Sequence, residues 1–106
     1  MVAGPYGLRS RTPEERRANL ARLEAAAREI YRKGHVPIVG LNLALPVALP
    51  LERTFWEQEV DFDQGRMVDM ISLAATERCD AVLRLDGPSA GADVEVDLIR
   101  SAGNPV

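Results

Sequence analysis

The sequence predicts a single α/β domain over residues 1–106: a three-layer sandwich on a parallel sheet of four to five strands, ordered 2-1-3-4(-5). Three observations carry that expectation. A capped amphipathic stretch separates two short apolar runs at 1–6 and 35–39, an arrangement that calls for parallel strands and a right-handed crossover. A second amphipathic stretch leads into a third apolar run at 81–85. A serine-started helix then follows that run, and 104–106 has the composition of a further strand start.

The elements follow in order. Residues 1–6 read as a very short strand entering a Gly4-Pro5 turn, and 7–11 as loop. Thr12, Pro13 and Glu15 form a strong helix start, with a threonine cap, proline at the first helical position and a glutamate closing a capping box. Leu20, Leu23, Ala27 and Ile30 then make one apolar stripe, and Gly34 ends the helix. Between Gly40 and Gly65 the prolines break any long element. A short helix at 51–59 is expected to carry Phe55 and Trp56, and 61–65 reads as a turn. Met67, Met70, Ile71 and Ala74 mark a helix from Arg66 to about Arg78. Asp86, Gly87, Pro88 and Ser89 form a turn whose serine caps a helix running to about Ala102.

Composition removes several kinds of chemistry. The 13 basic and 16 acidic residues leave a net charge of −3, and the bases are interspersed with acids, so no stripe follows a nucleic-acid backbone. Cys79 is the only cysteine and His35 the only histidine, which excludes an internal disulfide and argues against a zinc site or a Ser-His or Cys-His nucleophile pair. No apolar run is long enough to span a membrane, and no basic patch precedes an apolar stretch at the start. The expected location is cytoplasmic, and no cofactor or metal is expected. Catalysis would rest on carboxylates, hydroxyls, backbone amides and arginine.

Ligands of open parallel sheets bind beyond the carboxyl ends of the strands, which singles out the turns 4–11 and 86–91. The second feeds a helix whose first amides favour a phosphate or carboxylate. On spacing alone the plainer reading, a capped strand-to-helix turn, is the favoured one. Glu95, flanked by Val94 and Val96, either faces the sheet end or joins Asp93 and Asp97 in a solvated acidic helix start.

The segment from Cys79-Asp80 through the apolar run to Pro88-Ser89-Ala90-Gly91 and Glu95 resembles the nucleoside 2-deoxyribosyltransferase superfamily. It looks closest to the deoxynucleoside 5′-monophosphate N-glycosidase branch and its small bacterial relatives. Val2-Ala3-Gly4-Pro5-Tyr6 looks like the family's first strand and turn, and Gly34-His35-Val36-Pro37 like its second-strand entry. The resemblance implies a flavodoxin- or Rossmann-like sheet and cleavage or transfer at the N-glycosidic bond of a (deoxy)nucleoside or its 5′-monophosphate.

In that reading Glu95 falls on the nucleophile and Ser89 on a phosphate contact. Gly4, Pro5 and Tyr6 fall on the loop lining the sugar and base pocket, and Gly91 on the helix-start glycine that permits close approach. Tyr6 is expected to orient the Glu95 carboxylate. Asp69 and Asp86 are candidates for holding sugar hydroxyls or protonating the leaving base, and Arg9 or Arg11 for holding phosphate. The family commonly has an aspartate where this chain has Ser72, the nearest acid being Asp69. The implied partners are a small-molecule nucleoside or nucleotide and a second copy in a homodimer or larger homo-oligomer, with no nucleic acid and no membrane. Phe55, Trp56, Met67 and Met70 are the interface candidates. The competing readings are a non-catalytic nucleotide-binding module of the same fold and an interaction protein in which Glu95 is a surface acid.

Overall fold

A computed structural model describes residues 1–7, 11–50 and 54–106. Strand β1 (Val2–Ala3) is followed by helix α1 (Pro13–Arg32), helix α2 (Gly40–Ala48), a 3-10 turn (Phe55–Glu57), helix α3 (Phe62–Thr76), strand β2 (Leu83–Arg84) and helix α4 (Ala90–Ser101). This is a mostly helical protein. The expected sandwich on a four- to five-stranded, Rossmann-like sheet is not what the chain forms, because among the described residues the sheet has two strands of two residues each.

Prolines stand close after β1, at Pro5, and inside the expected strand at 35–39, at Pro37. β1 and β2 pair in parallel, Val2 against Leu83 and Ala3 against Arg84. Leu83 N donates to Met1 O at 2.9 Å and Leu85 N to Ala3 O at 2.8 Å. Gly4-Pro5 then ends the ladder, since proline offers no N–H. The expected strand at 35–39 contributes one parallel bridge, Val2 to Val39, with Val2 N donating to Ile38 O at 2.8 Å. Pro37 interrupts it, and Val36 stands 84% exposed. At the chain's other end Pro105 O accepts from Val82 N, a single bond with no strand around it.

Helix packing does the rest. β1 turns Met1 and Ala3 to one side, where they meet Cys79, Val82, Ala92, Val96 and Ile99. Val2 points to the other side, into Leu23 and Val39, with Ala27 and Ile30 of α1 packed around them. A third, helical core joins Tyr6 and Leu20 to Ala44, Leu45 and Ala48 of α2 and Val68 of α3, with Phe55 and Trp56 packed against it. No described helix is long and apolar enough to cross a membrane.

The starts of the helices follow from their caps. Thr12 accepts from Glu15 N at 3.2 Å while the Glu15 carboxylate accepts from Thr12 N, the capping box expected there. Residues 61–65 are not a free turn: Asp61 accepts from Gln64 N at 2.8 Å and Gln64 accepts from Asp61 N, so α3 begins four residues before Arg66. The short helix expected at 51–59 is reduced to the 3-10 turn, and 51–53 lie outside the described residues. α2 has no counterpart among the expectations. It tolerates Pro46 because in so short a helix only one backbone bond is lost, at a solvent-facing position. Its first residue, Gly40, allows close packing on α3: a Cβ there would stand 2.9 Å from Ser72 Oγ.

Candidate functional site

A cleft of about 630 Å³ opens where the carboxyl end of β1 meets the starts of α2 and α4 and one face of α3. Its walls include Gly4, Tyr6, Arg11, Gly40, Asp69, Ser72, Ser89, Gly91 and Glu95, drawn from four separate stretches of chain. Most of its surface is apolar, from Leu23, Val39, Leu41, Val68, Leu73 and Val94, with the polar groups placed at a few points.

α4 supplies three of those groups because of how it begins. Ser89 caps it, its Oγ accepting from Ala92 N at 3.1 Å. Ser89, Ala90 and Gly91 all border the cleft, so the positive end of the helix lies at its wall. A Cβ on Gly91 would meet nothing within 4 Å, so the space above this residue is open. Between one and two turns further along, Glu95 projects from the same helix into the cleft. α2 also starts there: Gly40 and Leu41 line the wall, and Val39 at its cap position provides no side-chain acceptor.

The acid run on α4 divides cleanly. Asp93 is exposed and pairs with Arg84 at 3.1 Å, and Asp97 is exposed, whereas Glu95 is half-buried. Burial raises the Glu95 carboxyl from its ordinary range to about 7. The Met1 ammonium opposes that shift, Asp69 adds to it, and Arg84 opposes it. The helix-start field therefore does not keep this group fully ionised at neutral pH, because loss of water outweighs it.

Asp69 reaches the cleft from the exposed side of α3. Ser72, one turn later, is 7% exposed and has its hydroxyl next to Gly40. Tyr6 lines the cleft but does not orient Glu95. Its ring packs in the helical core, and its buried hydroxyl has no hydrogen-bond partner among the described residues. Burial pushes the phenol up, opposed by Arg16.

The remaining expected site residues fall elsewhere. Pro5 is buried, and its ring packs where a Cβ on Gly87 would stand, 2.8 Å from Pro5 Cγ; Gly87 has a φ of +121°. Asp86 is exposed and is not in the cleft wall; its carbonyl accepts from Arg22 at 2.8 Å. Arg9 lies outside the described residues. Arg11 is the cation of the lining among the described residues, its backbone carbonyl held by the buried Arg16 guanidinium.

Sequence reasoning missed two contributors. One is the start of α2, which had no helical signal. The other is Arg84, which donates to Gly87 O at 2.9 Å and to the Leu85 carbonyl while pairing with Asp93, and so ties β2, the following turn and α4 together. No cluster of three metal-ligating side chains occurs among the described residues. Compared with known proteins, the chain matches no family model, no curated protein and no solved structure.

Proposed function

We propose that this cleft binds a (deoxy)nucleoside or its 5′-monophosphate and cleaves or transfers at the N-glycosidic bond, with Glu95 as the nucleophile. The observation that supports it is convergence. Gly4, Tyr6, Asp69, Ser89, Gly91 and Glu95, far apart in the chain, share one cleft of nucleotide size.

The chemistry follows from what the walls offer. An anionic group is favoured at the start of α4, beside Ser89, with Arg11 available as a cation. Glu95, further along the same helix, then lies near the anomeric carbon. As the C1′–N bond breaks, its electron pair leaves with the base and the sugar gains oxocarbenium character. The Glu95 carboxylate stabilises that charge and forms an ester at C1′. An incoming water or second base displaces Glu95 and completes hydrolysis or transfer. Asp69, the other carboxylate of the described lining, is placed to bond sugar hydroxyls or to pass a proton to the departing base.

The test is base release. The protein is incubated with a panel of nucleosides and 5′-monophosphates, and free base is separated by chromatography. Glu95→Gln and Glu95→Ala should both abolish release while the fold persists. A variant retaining more than about a tenth of the rate, a barrier change below ~1.4 kcal/mol, removes Glu95 from the nucleophile's role.

A further inference from the structure

Ser72 is a buried serine whose hydroxyl the fold leaves idle. It sits on the inward stripe of α3 between Val68 and Thr76 and is 7% exposed. A serine inside a helix ordinarily bonds the carbonyl four residues back. Thr76 does so, its hydroxyl donating to Ser72 O at 2.7 Å. The Ser72 hydroxyl has no hydrogen-bond partner among the described residues. Only Tyr6 Oη is both unpartnered and fully shut off among those residues, so Ser72 Oγ keeps access to the cleft that Ser72 lines. A buried donor left unmet costs free energy, and an acceptor entering the cleft recovers that cost.

The start of α2 stands beside this hydroxyl. A Cβ on Gly40 would lie 2.9 Å from Ser72 Oγ, and Gly40 and Leu41 line the same cleft. Val39 offers no side-chain acceptor, and no acid stands in the first turn of α2. Leu41, second in the helix, has no intrahelical acceptor for its N–H. A free hydroxyl and the positive end of a helix together are the surroundings of an anion. The start of α4, with Ser89, offers the same kind of surroundings from a different stretch of chain. Two such helix starts in one cleft suit a ligand with two anionic groups. A carboxylate at position 72 would repel the second group, and a serine does not. Asp69, one turn earlier on α3, opposes an anion here, but it is exposed and solvent screens its charge.

We propose that Ser72 and the start of α2 form a second anion subsite, so that the cleft takes a nucleotide bearing a further phosphate on its sugar. What lies between the two anions rests on the nucleotide reading of the cleft; the subsite itself does not. Calorimetry on the full chain compares a nucleoside 5′-monophosphate with the matching 3′,5′- and 2′,5′-bisphosphates. One bisphosphate should bind about tenfold or more tighter than the monophosphate. Ser72→Ala, which keeps a good helix former in α3, should remove most of that advantage and leave the monophosphate within about twofold. Ser89→Ala should weaken mono- and bisphosphate alike. Equal affinities in the wild type, or an advantage indifferent to Ser72→Ala, would overturn the subsite and leave the nucleotide reading standing. Should no nucleotide bind, inorganic phosphate decides, followed through the Gly40 and Leu41 amide resonances. Shifts that Ser72→Ala abolishes would uphold the subsite and overturn the nucleotide reading; no shifts would overturn both.

Discussion

Asp69 on α3 and Glu95 on α4 face one cleft, and the negative charge of the first adds to the burial that raises the second to about 7. Two acids from separate helices thus share a site in which one is exposed and the other half-buried. Different surroundings are how a single cleft assigns different work to two carboxyl groups.

The rate of base release should rise with pH through the Glu95 pKa. A nucleophile must be ionised, and at pH 6 most Glu95 carries its proton in the free protein. The expected kcat/KM profile therefore has an ascending limb centred near 7. Asp69→Asn removes a neighbouring negative charge and should move that limb to lower pH. A limb that descends through the same range would make Glu95 an acid rather than a nucleophile.

Stability should show the same group with the opposite consequence. The folded-state pKa is raised, so between the ordinary carboxylate range and about 7 the folded chain binds more protons than the unfolded one. The fold accordingly loses stability as pH rises through that window, and loses nothing from this group below it. Glu95→Gln, which cannot ionise, should melt higher than wild type at pH 8 and close to it at pH 4. The gain at pH 8 is on the order of 2 kcal/mol. Urea unfolding at the two pH values measures it, and equal stabilities at pH 8 would refute the buried placement of the carboxylate.

Gly91→Val should separate binding from folding. The position is helical and open to the cleft, so the fold should be unchanged or gain a few tenths of a kcal/mol from better helix propensity. Nucleotide binding, followed by calorimetry, should fall by about tenfold or more as the side chain enters the ligand's space. Undiminished binding would place the ligand elsewhere.

Gly40→Ala should destabilise the packing of α2 on α3 by about 1–3 kcal/mol, because the new methyl meets Ser72 Oγ and Cβ. Ser72→Gly in the same chain should recover part of that loss. Additive losses in a double-mutant cycle would show that the two residues are not in contact.

Legibility in the sequence varied with how local the determining interactions are. α1 was readable because Thr12, Pro13 and Glu15 settle its start among themselves. The start of α3 was misread although Asp61 and Gln64 form the same kind of box, since the neighbouring Gly65 suggests a turn. α2 was invisible: Gly40 and Pro46 argue against a helix, and what holds it is the burial of Ala44, Leu45 and Ala48 against distant residues. The sheet was overestimated because apolar runs such as 35–39 count as strands by composition, while Pro37 and Pro5 decide how many residues pair. At the site, Glu95 stood out through its apolar flanks, yet nothing nearby in sequence told it apart from Asp93. Arg84 makes that distinction by pairing with Asp93. The wall formed by Gly40 and Leu41 depends on α2 and was unreadable with it.

β1 carries a cost in time. Its partners lie far along the chain, Met1 bonding to Ala81 across eighty residues. During synthesis at about 5–20 residues per second, Val2 and Ala3 therefore wait several seconds for Leu83 to emerge. α1 is able to form meanwhile and to pack Leu20 against α2 and α3, whose residues all precede β2. Val2 gains its bond to Ile38 O first, and the β1–β2 pairing, which closes a far longer loop, is expected to form more slowly. A nascent chain halted before β2 would leave Met1 and Ala3 without Val82, Ala92, Val96 and Ile99, an apolar patch suited to chaperone capture.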